Sequence, residues 1–577
     1  MHYWIFLYML SELPPQQSCR IIKGMKIQRH TAILAAILFT GLILRILAAH
    51  SYWEWHDSTF PGSWQISKLV LSHDGQTYIY QARPDTWRSF DLFFQQWENR
   101  PYYRPPLASY YFKYLFQVSY FNRLIVSTIQ SFLAILAYLF LYMMAVLLFN
   151  HRVAIVSLLF LILHPVLIFY DTSFEDSPLA LFLLSTTLYV FICSYNWKQP
   201  QWILSGFLMG LTVLTRPNLM IVFICLVGFC WFIKKQGRVI RMLQFAIPVL
   251  ILISLPTWHN YRISGRVSFV TDTSGENLFW GNNAHPYYRT TIQGFWGIKA
   301  VTLGSSARLL FNMVREEFDE KSSERALLAA AWKYIYENPI QSTCGLIRKA
   351  FRHVANYEIP RNRNFFWLRE SSPPFRLPLI SYSILAAFTI IGLTMVAPRR
   401  RQMFILLTPW VCTFIVEVVF FNASRYRAIG IPFMTPLAVV GTCSLTYAII
   451  HHNWMRFLTG SLIVGLFFLA GQFSVPAQEK REYLSASYYK AAMLEAYTSQ
   501  DGRLRLISDE RFIRNLRTSL EYAPDNLDAF SMYTKYLILQ GRCDEAAENI
   551  RQRKARCRNN DVLCFKVCEF LEKFIEQ

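Results

Sequence analysis

The sequence predicts an all-α polytopic membrane protein of about eleven transmembrane helices, with an exoplasmic mixed loop domain and an α-helical C-terminal tail. Three observations predict it. The 577 residues are 53% hydrophobic and 16% aromatic but only 16% charged, whereas soluble domains carry about 25% charged residues. Apolar runs of about 20 residues, the length that crosses a bilayer as a helix, recur along the chain. The short connections at one end of these runs hold Lys and Arg and no carboxylate, which is the bias of cytoplasmic loops.

The runs fall near 31–49, 123–149, 153–170, 178–196, 201–215, 218–233, 240–258, 378–397, 403–421, 428–450 and 456–474. With the Lys26/Arg29 end cytoplasmic, alternation makes Asn150–Arg152, Asn196–Gln199, Lys234–Arg241, Pro398–Gln402 and His451–Arg456 cytoplasmic as well. The opposite face receives His50–Asn122, His259–Leu377 and a tail from about Phe473. Met25 opens a basic flank that leads straight into the first apolar run, which reads as a retained anchor. The expected division is therefore 1–24 as an extension ahead of the natural start, 25–258 as an N-terminal membrane module with its first exoplasmic loop at 50–122, and 259–377 as a large exoplasmic loop. Residues 378–475 follow as further transmembrane helices and 476–577 as the tail.

The net charge of +21 raises the question of nucleic acid. Its basic residues are dispersed among short loops, without the clustered footprint that nucleic-acid binding needs, so no nucleic-acid partner is expected. Five cysteines (Cys193, Cys225, Cys230, Cys412 and Cys443) lie in apolar runs and read as small core residues. Cys543, Cys557, Cys564 and Cys568 lie in the tail, where an exoplasmic location permits disulfides of unread pairing. Tyr522-Ala-Pro-Asp, then Gly541 and Ala546, resemble one or two degenerate tetratricopeptide units. Plain helical hairpins account for the same pattern, and either would offer a surface to a protein partner.

The chemistry-bearing residues gather on the exoplasmic side. In the first loop Asp74 precedes Tyr78 by one helical turn, so both share a face if the segment is helical. An N-cap is the plainer use of Asp74. Arg104 stands before Pro105-Pro106, on a rigid turn from which a guanidinium can clamp phosphate or anchor at the interface. Asp171, Glu175 and Asp176 put three carboxylates into six residues at a membrane boundary, where desolvation makes acids costly and close pairing raises one pKa. Asp176 or Ser177 would cap the helix started by Pro178. Arg216, Arg425 and Arg427 are arginines on the side opposite to the usual bias, which a lipid-linked phosphate or simple snorkelling would explain. Asn422-Ala-Ser424 is a glycosylation sequon abutting a span.

The order Asp74…Tyr78, Arg104-Pro-Pro-Leu, the Asp171–Asp176 cluster, Leu214-Thr-Arg-Pro-Asn and Ser424-Arg-Tyr-Arg…Pro432 resembles the GT-C class of integral-membrane glycosyltransferases. More narrowly it resembles bacterial relatives of protein O-mannosyltransferases and of the lipid A aminoarabinose transferase. Leu278–Asn283 and Asn356–Pro360 are similar to stretches of members with tetratricopeptide tails. The resemblance implies a GT-C-like fold, a polyprenyl-phosphate sugar donor, inversion at the anomeric carbon and a first-loop carboxylate as base. It implies Asp74 as that base and Arg104, Arg216 and Arg425 near the phosphate, and it leaves Asp171, Glu175 and Asp176 interchangeable in the acidic cluster. Glu175 or Asp176 is the candidate second catalytic acid, orienting the acceptor or helping the proton leave. Tyr78, Asp171 and Arg427 are further substrate-binding candidates. The acid pair usual in protein mannosyltransferases is interrupted here by Gly75, so the acceptor stays open among glycan, lipid and protein. No cofactor is called for, and a divalent metal is not indicated, because no His-rich set accompanies the carboxylates. A bacterial inner membrane is the location the resemblance implies. A lipid-linked-saccharide flippase, or a polysaccharide polymerase or ligase, would share much of this pattern, as would a membrane anchor for a partner-binding tail. A flippase predicts mid-membrane ionisable residues and repeat symmetry, and only Arg45 and Glu417 are prominent charges inside spans.

Overall fold

A computed structural model describes residues 27–59, 101–120, 122–196, 201–233, 237–283, 323–361, 363–395, 400–494, 496–498, 504–506, 508–557 and 562–576. The extension at 1–24, Asp74 and Tyr78 lie outside the described residues.

The first half is a helical bundle built from α1 (Ile27–Thr59), α2 (Pro106–Val118), α3 (Arg123–Leu148), α4 (His151–Leu163), α5 (Pro165–Asp171), α6 (Ser177–Asn196), α7 (Trp202–Thr215), α8 (Met220–Ile233) and α9 (Arg238–Ser264). Local signals start and stop these helices. Pro106 occupies the first turn of α2, where no N–H is needed. Asn122 caps α3 by accepting from the amides of Leu124 and Ile125. Gly265, at φ 68°, closes α9 in the left-handed conformation.

The eleven apolar runs read from the sequence all lie on helices, but they are unequal. Among the described residues seven helices are long and apolar enough to cross a membrane, and α4 with α5 forms an eighth, bent by 65°. The runs at 202–215, 217–232 and 382–395 are shorter than a full span. The bend has a local cause. Pro165 lacks an N–H and excludes the α conformation at His164, which sits extended at φ −73°, ψ 114°. The chain restarts as α5 and delivers the acidic stretch 171–176 to the end of the bundle.

Beyond α9 come α10 (Ser274–Gly281), α11 (Ser323–Glu337), α12 (Pro339–His353) and the short α13 (Phe365–Leu368). The bundle then resumes with α14 (Tyr382–Met395), α15 (Arg400–Val419), α16 (Ser424–Ile450) and α17 (Trp454–Phe473). α14 and α16 cross closely because both are glycine at the contact: a Cβ on Gly392 would lie 2.0 Å from the Leu437 carbonyl oxygen, and one on Gly441 2.0 Å from that of Phe388. One continuous apolar core runs through α1, α3–α9 and α14–α16. Large apolar side chains such as Phe39, Leu250, Leu255, Leu462 and Phe473 face outward, the pattern of an integral multi-pass membrane protein.

The tail comprises α18 (Ala477–Leu494), a two-stranded ladder of β1 (Ala496–Thr498) with β2 (Leu504–Leu506), then α19 (Asp509–Tyr522), α20 (Leu527–Leu539), α21 (Cys543–Arg556) and α22 (Val562–Glu576). Asn526 caps α20, and Gly541 turns the chain into α21 at φ 73°. Cys557 and Cys564 are disulfide-bonded, and Cys568 lies within 4.8 Å of both.

Candidate active site

The loops at one end of the bundle meet through named contacts. The Asp272 amide donates to the Tyr102 carbonyl, joining the segment before α2 to the segment after α9. Arg363 Nη1 donates to Ser173 Oγ at 3.1 Å, and the Ser424 amide donates to the Ile359 carbonyl. Arg363 therefore reaches onto the acidic stretch between α5 and α6, and Ile359 onto the start of α16.

The three carboxylates of that stretch do different things. Asp171 accepts from Arg45 Nε and from the Tyr138 hydroxyl, both at 2.8 Å, and is buried among them. Asp171, expected to bind substrate, is thus committed to the bundle's own charge balance. Asp176 does not cap α6 with its side chain; its Oδ1 accepts from Arg216 Nε at 3.0 Å and Nη2 at 2.8 Å. Arg216 Nη2 also donates to Ser177 Oγ, while Nη1 is buried without a hydrogen-bond partner among the described residues. Glu175, between these two acids, is buried two residues from Ser173, which Arg363 bonds, and lies within electrostatic reach of Lys490 of α18, as do Arg361 and Arg363.

The arginines also divide. Arg427 is fully buried and donates to the carbonyls of His353, Ala355 and Tyr357, to Glu358 Oε2 and to Ser424 Oγ. With these donors turned to the chain itself, Arg427, a substrate-binding candidate from the sequence, holds the 353–358 turn. Its neighbour Arg425 lies over Tyr426 and within electrostatic reach of Tyr170, as do Glu175 and Glu358. Arg104 lies over the Tyr103 ring, and with Arg361 it faces Glu276. Glu276 Oε1 accepts from the Tyr103 hydroxyl at 3.2 Å and from Trp280 Nε1 at 3.4 Å. Burial raises the Glu276 carboxyl above its ordinary value, and Arg104 and Arg361 oppose that rise.

The intraspan charges have fixed partners. Glu417 accepts from the Ala423 amide and Asn422 Nδ2 and pairs with His353 Nδ1 at 2.9 Å. Asn422 also donates to the Lys349 carbonyl and is buried, so the sequon is closed to modification in this fold. Lys349 Nζ donates to Asn282 Oδ1 and to the carbonyls of Gly281, Val419 and Phe420, tying α10 to the end of α15. Burial brings its ammonium down to about 8. A cleft of 670 Å³, open mouth included, runs beside this lysine and is lined also by Tyr334, Gln341, Arg348, Phe421 and Tyr483.

Sequence reasoning missed Arg361, Arg363, Glu276 and Lys490. Asn356–Pro360 had stood out as a motif, and Arg361 is the next residue. Residues 60–100 of the first loop, with Asp74 and Tyr78, lie outside the described residues, but both flanks of this segment are anchored at the cluster. On one side Arg363 lies over the Tyr52 ring and Trp53 packs on Phe174; on the other stand Tyr103 and Arg104.

Residues 103–259 match the family described as dolichyl-phosphate-mannose-protein mannosyltransferase. Over that segment the resemblance to GT-C glycosyltransferases read from the sequence holds. No curated protein matches the chain. Among solved structures the chain is similar to the Archaeoglobus fulgidus oligosaccharyltransferase in its apo form, at 14% identity and a TM-score of 0.42, with 83% of this chain and 59% of that one covered. It is also similar to archaeal oligosaccharyltransferase AglB from Archaeoglobus fulgidus in complex with an inhibitory peptide and a dolichol-phosphate, at 12% identity and a TM-score of 0.36, with 84% and 61% covered. The chain thus spans about three fifths of the length of these structures.

Proposed function

We propose that this chain is a membrane glycosyltransferase that moves a sugar from a polyprenyl-phosphate donor to a hydroxyl acceptor, with inversion, on the exoplasmic side of a bacterial inner membrane. The observation that carries the reading is that basic groups from stretches far apart in sequence gather at the acidic stretch. Arg363 bonds Ser173 beside Glu175, and Arg361 and Arg425 lie over the neighbouring rings of Phe421 and Tyr426, with Arg104 within electrostatic reach of Glu276 beside Arg361. The family match over 103–259 names a lipid-phosphate sugar as the kind of donor.

The chemistry follows from the parts. The acceptor oxygen attacks the anomeric carbon, the bond from that carbon to the phosphate oxygen breaks, and its electron pair leaves on the phosphate. Guanidinium groups fixed in a poorly solvated place stabilise that anion without reorganising. Arg104 and Arg425 are assigned to the donor phosphate, with Arg361 nearby. Arg216 joins them through Nη1, because Asp176 and Ser177 fix the rest of its fork. Asp74 is assigned as the base that takes the acceptor proton, with Tyr78 beside the substrate, and Glu175 as the group that orients the acceptor. The cleft beside Lys349 offers hydroxyl, amide and aromatic surfaces suited to a glycan, lipid-glycan or peptide acceptor.

The flippase reading loses support from Arg45 and Glu417, since both of these intraspan charges are held by fixed partners. An exoplasmic tail fits the Cys557–Cys564 disulfide, since such bonds persist in oxidising compartments. The test is to incubate purified protein with radiolabelled polyprenyl-phosphate sugars and panels of glycan, lipid and peptide acceptors. Labelled product with an inverted anomeric centre supports the reading. Donor movement across vesicles without product would replace it with transport.

A further inference from the structure

The tail helix α18 lies on the same segment that reaches onto the acidic stretch. Arg352 forms an ion pair with Glu479. Tyr483 stacks on Tyr357 with ring centroids 5.8 Å apart, and Lys480 lies over the same Tyr357 ring. Asn364 Nδ2 donates to the Tyr483 carbonyl, and Trp367 meets Tyr488 edge-on at 6.3 Å. One layer further in, Arg363 donates to Ser173 Oγ, and Phe365 packs against Phe169 of α5. Residues 352–361 and 363–367 are thus clasped between the 169–176 segment and the tail. Tyr483, Ser487 and Lys490 follow one another at helical spacing on α18, so the stripe that docks the helix ends on the lysine.

We infer that α18 is a wall of the candidate site and that Lys490 is a positioning residue of the transfer reaction, holding Glu175 in place beside Arg361 and Arg363. This rests on the glycosyltransferase reading above. The physical argument is one of charge. Two guanidinium groups and an ammonium, each half-buried, lie within electrostatic reach of one another beside the buried Glu175 carboxylate, and the arrangement keeps a surplus of positive charge that suits an anionic donor. The groups within electrostatic reach of Lys490 are Glu175 from the 172–176 turn and Arg361 and Arg363 from the segment before α13; on its own helix, Glu479 is held by Arg352 and Lys480 by Tyr357. Burial, helped by Arg363 and Arg361 and opposed by Glu175, brings the ammonium down to about 7. It is therefore charged below neutrality, and that charge is lost as pH rises through about 7.

Two measurements on the full chain in nanodiscs decide the matter. The first needs no donor: acylation of the Lys490 amine is followed against pH by peptide mass spectrometry. A midpoint near neutrality that falls further in Glu175→Gln places the lysine as inferred, and an ordinary lysine midpoint overturns it. The second is transfer. Lys490→Met is expected to lose about tenfold or more in kcat/KM at mildly acidic pH through misplacement of Glu175. Lys490→Arg, which keeps its charge at all pH, retains most activity and carries it to higher pH than wild type. Lys566→Met, on the exposed face of α22, serves as the unchanged control. Wild-type kinetics and pH profile in Lys490→Met would overturn the inference. Should the wild-type protein transfer no sugar at all, the functional reading falls, while the acylation midpoint still decides where Lys490 sits.

Discussion

Arg45 donates Nε to Asp171 Oδ2 at 2.8 Å, and neither side chain reaches the surface of the bundle. The pair joins the first span to the bent span at the point where the acidic stretch begins. Arg45 also donates to the carbonyls of Gly41, Ile162 and Leu161, the last two just ahead of the break at Pro165. The guanidinium thus satisfies carbonyls near the broken helix end and neutralises the acid that follows.

Removing one partner strands the other. Arg45→Met is expected to destabilise the protein by about 3–5 kcal/mol, the usual cost of an uncompensated buried charge. Asp171→Asn should cost less, since the amide still accepts from Tyr138. The double variant Arg45→Met/Asp171→Leu should be more stable than Arg45→Met alone. Thermal unfolding in detergent, followed by tryptophan fluorescence, checks the order of the three midpoints.

The Arg216–Asp176 pair behaves differently, because Arg216 keeps one buried amino group without a hydrogen-bond partner among the described residues. If Asp176 acts by aiming that group, Asp176→Asn and Arg216→Lys disturb one device. Each should lower kcat/KM by about ten- to a hundredfold, since lysine cannot reproduce a fork held at two points. Combined, they should be little worse than either alone. Additive losses in the double-mutant cycle would mean that the two residues act separately.

How far this arrangement is legible in the sequence depends on what each signal measures. Apolar length and loop charge report on the bilayer, and they place helices at all eleven runs. They do not report a span's bend, which depends on Pro165, or the close approach of two helices, which depends on Gly392 and Gly441. Clustered acids and misplaced arginines mark the right boundary, yet spacing cannot tell a free group from a paired one. Asp171 and Glu175 are neighbours in sequence, and only the fold assigns one to Arg45 and leaves the other within electrostatic reach of Lys490. Arg425 and Arg427 lie on the same first turn of α16, and it is the fold that turns Arg427 into the carbonyls of His353, Ala355 and Tyr357. Lys490 was invisible because nothing local in Tyr488-Tyr489-Lys490 distinguishes it from an ordinary surface lysine.

The Tyr103–Glu276 contact gives a pH signature of its own. Burial raises the Glu276 carboxyl above its ordinary 4.5, so the folded chain binds that proton more tightly than the unfolded chain. Stability from this group is present at low pH and declines as pH rises from 4.5 through the raised value. Glu276→Gln, which keeps the shape and can still bond Tyr103, should flatten that decline. Unfolding midpoints measured across the acidic range for both proteins provide the check, and parallel curves would mean that Glu276 titrates normally.

Asp74 carries the strongest prediction, because the segment that bears it leaves and re-enters the bundle at the cluster. Tyr52 and Trp53, near the end of α1, touch Arg363 and Phe174, while Tyr103 and Arg104 stand at the return. Asp74 is the residue proposed above as the base that takes the acceptor proton. An amide in its place cannot accept the hydroxyl proton but preserves size and polarity. Asp74→Asn is therefore expected to lower kcat by about a hundredfold or more. Donor binding and the yield of folded protein should stay unchanged. Asp85→Asn, in the same loop, should leave turnover near wild type. Single-turnover measurements with pre-bound donor separate chemistry from binding, and full turnover by Asp74→Asn would assign the proton to another group.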